Sequence, residues 1–538
     1  FGWRVHVKLP LWSGMDLDQR GSESLWPAEP WTSSLDRRWR KYRGRVTIAW
    51  FLLVPVSFIL AVVALVLAAV QSHGPPPQTF PKVPQGVNVG GWLCLEDWFY
   101  SGDQGLMVST SADMPAGQGA CLPPKLTQLS GNLSGHWPSE GNLTKRLNVT
   151  WGFGPEKTVE IFMSHRRSFV GTSDLIMMSS MGIQHIRLPL TWAAFADALA
   201  PVDMAEYGRH DPELDAAVVR DPFYNESLAF VTVPRSWLAG FIRKAGSYRL
   251  KVVIDIHAFP GGSSLGTYSG VWPLPPAFWK ENASIGNRSM ALTTAGLMIA
   301  QKMIHWIEGL GPDELQSIAG VTLMNEPGHL SAGEDWASEG QILAWLERAA
   351  ELFRSSALPS HGIKLYMNII ETAFTDFTGS VVPWWHRTFT EAEQKQWAVM
   401  DRHWYTAWAG ESCSGRTVAG GRYFCDQALD EIEAIVRKCA RQWAEDFAKD
   451  FPGLKAVTEF SVGTFNDGLA ACTDPALATM FLDSQVNAFV DHGIEPFFWT
   501  WRMPYGPIFE PGWSLRHIMG KEVSKPSAPC RAIPREGQ

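Results

Sequence analysis

The chain has 538 residues, 46% of them hydrophobic and 19% charged, with a formal net charge of −8. That length holds one large domain or two to three ordinary ones, and so apolar a composition excludes both a small stapled scaffold and a mostly disordered chain. An acidic balance, with no long Lys/Arg block outside one short stretch, also excludes nucleic acid as the main partner. The 26 Trp nearly equal the 28 Phe. A flat apolar face with one polar N–H suits a large core first, and the faces of sugar rings second.

Residues 1–45 read as a basic tail ending in Arg37, Arg38, Arg40, Lys41, Arg43 and Arg45. The 25 residues from Val46 to Val70 carry no charge. As a helix they span roughly 37 Å, enough for the ~30 Å hydrocarbon core and too long for a signal-peptide core. The next cation is Lys82, so the positive-inside rule predicts a cytosolic N-terminus and an outer remainder. All seven Cys (94, 121, 413, 425, 439, 472, 530) and all six N-x-S/T sequons (Asn132, Asn142, Asn148, Asn225, Asn282, Asn287) follow the span, where disulfides and glycans form. A single-pass type II membrane protein is expected, with its outer part in the secretory lumen or outside the cell (Golgi or plasma membrane). Topology alone explains the basic run. An odd Cys count leaves at least one free or paired with another chain. Cys413 and Cys425 flank a Gly-rich loop and are candidates for a bridge.

Residues 71–84 form a Pro-rich stalk. Beyond it, β-branched or aromatic runs alternate with amphipathic stretches. Strands are expected at 86–93, 183–190, 250–257, 318–325, 363–370, 397–405, 454–462 and 494–501. Helical patterns fall at 235–249, 293–310, 340–356, 426–447 and 475–492. Eight strands separated by helices predict an α/β protein, a (β/α)8 TIM barrel over residues 85–520 preceded by a single transmembrane helix. A doubly wound sheet is the alternative, but no Gly-rich phosphate loop follows any strand. Residues 101–150, rich in Gly, Ser and Pro with three sequons, read as an exposed glycosylated insertion. Residues 521–538 read as an irregular tail.

In such a barrel the chemistry gathers at the C-terminal ends of the strands. There the sequence supplies Glu96, Arg187, His257, Asn325, Glu326, His403, Tyr405, Glu459 and Trp499. Any one alone has an ordinary explanation as a cap, rim or core residue. Together they are harder to dismiss, because carboxylates at a closed rim cost several kcal/mol, about 3–5 when left unpaired, unless partners or function compensate. Two carboxylates on strands four and seven face one barrel mouth, the arrangement glycoside hydrolysis needs. No Cys/His spacing fits a zinc pattern; neither a metal nor a cofactor is expected.

The runs GVNVGGWLCLEDW, IRLPLTWAAF, VIDIHAFPGG, LMNEPG, DRHWYTAW, TEFSVGTF and FFWTWRMPYG follow in order over residues 86–506. Together they resemble family 5 glycoside hydrolases of clan A, and most closely the fungal-type exo-β-1,3-glucanases. The resemblance implies a retaining hydrolase of β-1,3-glucan with Glu326 as acid/base and Glu459 as nucleophile. It implies that Arg187 and Tyr405 hold Glu459, Asn325 the sugar 2-OH, and Glu96 the terminal glucose hydroxyls. His257 and His403 would line the site, with Trp499 as its floor. The sequence departs from the pattern in HAFPGGSSLGTYSG, where Gly266 and Thr267 replace an aromatic and an Asp, and at Phe460, where the family usually has Trp. Two other readings remain open: the same mechanism on another β-glycoside (β-1,4-glucan, mannan or a glucosylated lipid), and an inactive tethered glucan-binding protein.

Overall fold

Eight parallel strands close on themselves, each beside its neighbours in sequence and the last beside the first. They are β1 (Gly86–Asn88), β2 (His185–Thr191), β3 (Lys251–Ala258), β4 (Ile318–Thr322), β5 (Lys364–Glu371), β6 (Ala398–Trp404), β7 (Leu454–Phe460) and β8 (Ile494–Phe498). The computed structural model of the chain describes residues 82–100, 137–286, 289–330, 337–371, 378–405, 428–463, 475–503 and 510–521, all within the compact unit Phe80–Gln538. All eight expected strands are present, and all five expected helices. The latter run at Arg235–Ser247, Leu292–Glu308, Glu339–Arg354, Leu429–Asp450 and Pro475–Asp491.

The period of two in a strand decides what the barrel holds. On β2 and β3, Ile186, Leu188, Leu190, Val252, Ile254 and Ile256 join the large core shared with the surrounding helices. The alternate residues form a separate inner cluster of Val253, Ala319, Tyr366, Val399, Ala456 and Phe497, one from each of β3 to β8. Phe497 crosses so far that a Cβ on Gly86 would lie 2.2 Å from its ring, so β1 contributes backbone only at this level. Truncating Phe497 would cost about 3–5 kcal/mol. Above the apolar layer the inward positions turn polar.

The helices follow from apolar spacing and from their ends. Leu292–Glu308 buries Leu292, Ala295, Ile299, Met303 and Trp306 along one stripe, at the three- and four-residue intervals of a packed helix face. Glu339–Arg354 starts on a capping box, with Ser338 and Gln341 bonding each other's backbone N–H at 2.9 and 3.2 Å, which satisfies donors the helix itself cannot.

The exposed insertion expected at 101–150 needs correction where it is described. Trp137, Ser139, Glu140, Leu143, Thr144 and Leu147 are fully buried, in a second core with Trp98, Phe99, Tyr100, Trp499 and Trp513. The Gly/Ser/Pro average hid apolar residues at helical spacing. The Asn142 sequon lies in this stretch, with Asn142 half-buried, its Oδ1 enclosed and Thr144 fully buried. Asn225 and Asn282 are exposed.

Cys94 is free and buried, and Cys439 is disulfide-bonded. Among the described residues no helix is long and apolar enough to cross a membrane. The tail 1–45, the span at 46–70, the stalk as far as 81, the insertion at 101–136, Asn132, Asn287, the Cys413–Cys425 pair and the tail from 522 lie outside the described residues.

Candidate active site

Inward-facing polar residues form two tiers above the apolar layer. The lower tier contains Asn88, Arg187, Asp255, Asn368 and Asp401, all at most 1% exposed. The upper tier contains His257, Asn325, Glu326, His403 and Glu459. Register brings the key residues together: His403 on β6 pairs across to Glu459 on β7, and Asp401 to Asn368 on β5.

Arg187 organises both tiers. Its Nη1 donates to Glu459 Oε1 at 2.5 Å and to Asn88 Oδ1 at 3.0 Å. Its Nη2 donates to Asn325 Oδ1 at 2.7 Å and meets Asp255 Oδ2 at 3.1 Å. Burial alone would lower the guanidinium's affinity for its proton, but the Asp255 and Glu459 carboxylates outweigh it and the pKa rises. A guanidinium fork suits this task because its donors lie in one fixed plane. Tyr405 donates to the other oxygen of Glu459 at 2.7 Å, so both carboxylate oxygens are held.

Glu326 follows β4 with a left-handed backbone, φ +43°, a conformation that costs a residue with a Cβ about 1–3 kcal/mol. Its Oε1 lies 2.5 Å from His403 Nδ1, and Glu459 Oε2 lies 3.3 Å from the same nitrogen. His403 Nε2 sits 3.2 Å from Thr458 Oγ, whose proton goes to Asp401 Oδ2 at 2.5 Å. Thr458 therefore accepts from Nε2–H. Burial would lower the His403 pKa, but Glu459 and Glu326 raise it.

His257 is oriented from below by Asp255, 2.7 Å from Nδ1, which more than offsets burial and raises its pKa. Its ring stacks on Trp499 at 5.6 Å and 9°. Trp499 is 3% exposed; a Cβ on Gly90 would come within 2.8 Å of its ring, so the glycine lets the indole lie against β1. Glu96 accepts from Trp98 Nε1 at 2.8 Å. Burial pushes its carboxyl up to about 7, with His257 pulling it down and Glu459 and Glu326 adding to the rise.

All nine residues singled out in the sequence thus take places in the one polar cluster at the barrel's C-terminal end. The residues beneath them were missed. Asp255 and Asp401 stand two positions before His257 and His403, on the same face of their strands, so D-x-H at a strand end was a readable signal. Nothing in the sequence marks Asn88 or Asn368. Glu326, His403 and Glu459 are also the one group among the described residues whose His and carboxylate donor atoms converge, all within 4.8 Å. The 2.5 Å between Glu326 and His403 is a hydrogen bond, closer than the ~3.3 Å that separates two ligands on a tetrahedral ion.

No protein-family model matches the chain. It is 20% identical over 483 residues to a probable glucan 1,3-beta-glucosidase A of Emericella nidulans, covering 85% of this chain and 94% of the relative. It is 21% identical over 450 residues to glucan 1,3-beta-glucosidase 3 of Schizosaccharomyces pombe, covering 81% and 72%. Among solved structures, rutinosidase from Aspergillus niger shares the fold with a TM-score of 0.50 at 14% identity, over 82% of this chain and 97% of that one. The motif resemblance and these relatives fall in one class of enzyme, and both place the chain with the O-glycosyl hydrolases.

Proposed function

We propose that the protein is a retaining glycoside hydrolase that removes glucose from the ends of β-1,3-glucan by double displacement. The observation that carries this reading is the approach of Glu326 and Glu459, whose carboxylate oxygens lie within 4.8 Å. Retaining enzymes place their carboxyls about 5–5.5 Å apart, and inverting ones about 6.5–9.5 Å to admit a water. Glu459, oriented by Arg187 and Tyr405 through one hydrogen bond to each carboxylate oxygen, attacks the anomeric carbon. Glu326 gives its proton to the departing oxygen, and a glycosyl–Glu459 ester forms. Glu326 then takes a proton from water as the water displaces the ester. The sugar 2-OH has a waiting partner in Asn325, whose Oδ1 is engaged by Arg187 while its buried Nδ2 has none. Linkage and end-preference draw their support from the relatives and from Glu96.

We also propose that residues 46–70 anchor the enzyme and that the barrel faces the secretory lumen or cell exterior. The flanking charges, the Cys439 disulfide and the exposed Asn225 and Asn282 sequons support that placement. Shaving sealed microsomes should leave the barrel intact, and peptide-N-glycosidase should shift its mass. Loss of the barrel to external protease would contradict this orientation.

Full-length protein should be assayed on laminari-, cello- and manno-oligosaccharides and a glucosylated lipid. Laminari-oligosaccharides should be preferred, and Glu459→Ala should lower turnover by about 10⁴-fold or more. Preference for another substrate would replace the proposed one. Binding of laminarin without turnover would favour a tethered glucan-binding protein.

A further inference from the structure

The left-handed backbone of Glu326 leaves open what holds this residue with its carboxyl toward His403 and Glu459. Its own peptide groups answer. Glu326 N–H donates to Asn368 Oδ1 at 2.6 Å, and Glu326 C=O accepts from Ser264 Oγ at 3.0 Å. One bond comes from β5 and the other from the loop after β3, so the residue is gripped at both ends from two sides of the barrel. Asn368 is 1% exposed and Ser264 fully buried, so water does not compete for either bond. Ser264 Oγ also lies 2.8 Å from the hydroxyl of Tyr268, whose ring meets His257 edge-on at 5.6 Å.

We propose that Asn368 and Ser264 are positioning residues for the acid/base, clamping the backbone of Glu326 so that its carboxyl stays aimed at the leaving-group oxygen. The inference rests on the role assigned to Glu326 above. It gives the altered loop 258–270 a catalytic consequence, because the segment that departs from the fungal pattern also supplies one half of the clamp. Both side chains are buried behind Glu326, and each acts through the Glu326 peptide. A displacement of about 1 Å in a reacting group costs on the order of 100-fold in rate.

A clamp on the acid has a signature that a merely structural residue lacks. Dinitrophenyl β-glucoside departs without protonation and phenyl β-glucoside does not, so only the second needs a well-aimed acid. With full-length protein, Asn368→Ala should lower kcat/KM for the phenyl glucoside by about 100-fold and for the dinitrophenyl glucoside by less than about fivefold. Added azide should speed turnover of the dinitrophenyl glucoside by the variant, since this nucleophile needs no general base. Ser264→Ala should show the same selectivity at smaller size, and it carries the test if the Asn368 variant fails to fold. An equal loss on both substrates, in whichever variant folds, overturns the clamp while leaving the proposed function standing. A wild type inert on every aryl β-glucoside overturns that function, and the clamp with it.

Discussion

Arg187 bridges Glu459, Asn88, Asn325 and Asp255 with one side chain that is fully buried. A lysine there would keep the charge but could not serve four partners from two forks of one plane. Arg187→Lys should therefore lower kcat/KM by about 100-fold and cost about 3 kcal/mol of stability, through partners left unpaired in a dry site. Steady-state kinetics and denaturant melts check the two together; wild-type kinetics in the variant would remove Arg187 from the mechanism. At this scale the sequence was readable only where residue type and position coincide. Glu326 and Glu459 sit at strand ends inside recognisable runs. Asn368 bonds through its side-chain carbonyl oxygen to another residue's backbone, and one buried Asn in a strand such as IKLYMNII looks the same whether or not it touches a functional group. Asp255 and Asp401 lie between these cases, visible once the inward face of each strand is known.

The short helix Glu140–Lys145 shows what an element can hide. Its Glu140 is fully buried, and Oε2 accepts from Leu95 N–H at 2.8 Å while Oε1 has no partner. Burial pushes the carboxyl from its ordinary 4.5 up to about 7, against the pull of Arg166. A raised pKa in the folded state means a contribution that is full below about 4.5 and lost as pH climbs through about 7. Glu140→Gln, which keeps the acceptor, should match the wild type near pH 5 and exceed it at pH 8 by up to about 3 kcal/mol. Urea melts at the two pH values measure this, and an unchanged difference would mean Glu140 stays ionised when folded. The strands were legible because β-branched runs ending in polar residues say both where a strand lies and where it stops. Helices such as Thr172–Met181 were not singled out: that segment buries only Asp174, Leu175 and Met178, too faint a stripe to stand out. Trp137, Leu143 and Leu147 were masked by the glycines and serines around them.

For the molecule as a whole, three buried acids lean one way, while Glu314 beside Arg243 and Glu495 beside His185 lean the other. Burial raises Glu96 and Glu140 to about 7 and Asp401 to about 6. Each adds stability at acid pH and loses it as pH rises through those values. His165, lowered by burial to about 3, works oppositely between about 3 and 6.5 and is silent above. Thermal melting should therefore fall by about 2 °C from pH 6.5 to 8; a rising profile would contradict the buried, protonated acids. The barrel was legible in the order of its elements, whereas the meeting of Glu326 with Glu459 was not, because 133 residues of chain carry no distance. Under the proposed function that meeting gives retention of configuration, and the most direct test is proton NMR of the first product released from laminaritriose by the full-length protein. β-Glucose should appear first, with the α-anomer growing in only by mutarotation; α-glucose as the initial product would contradict a glycosyl–Glu459 intermediate.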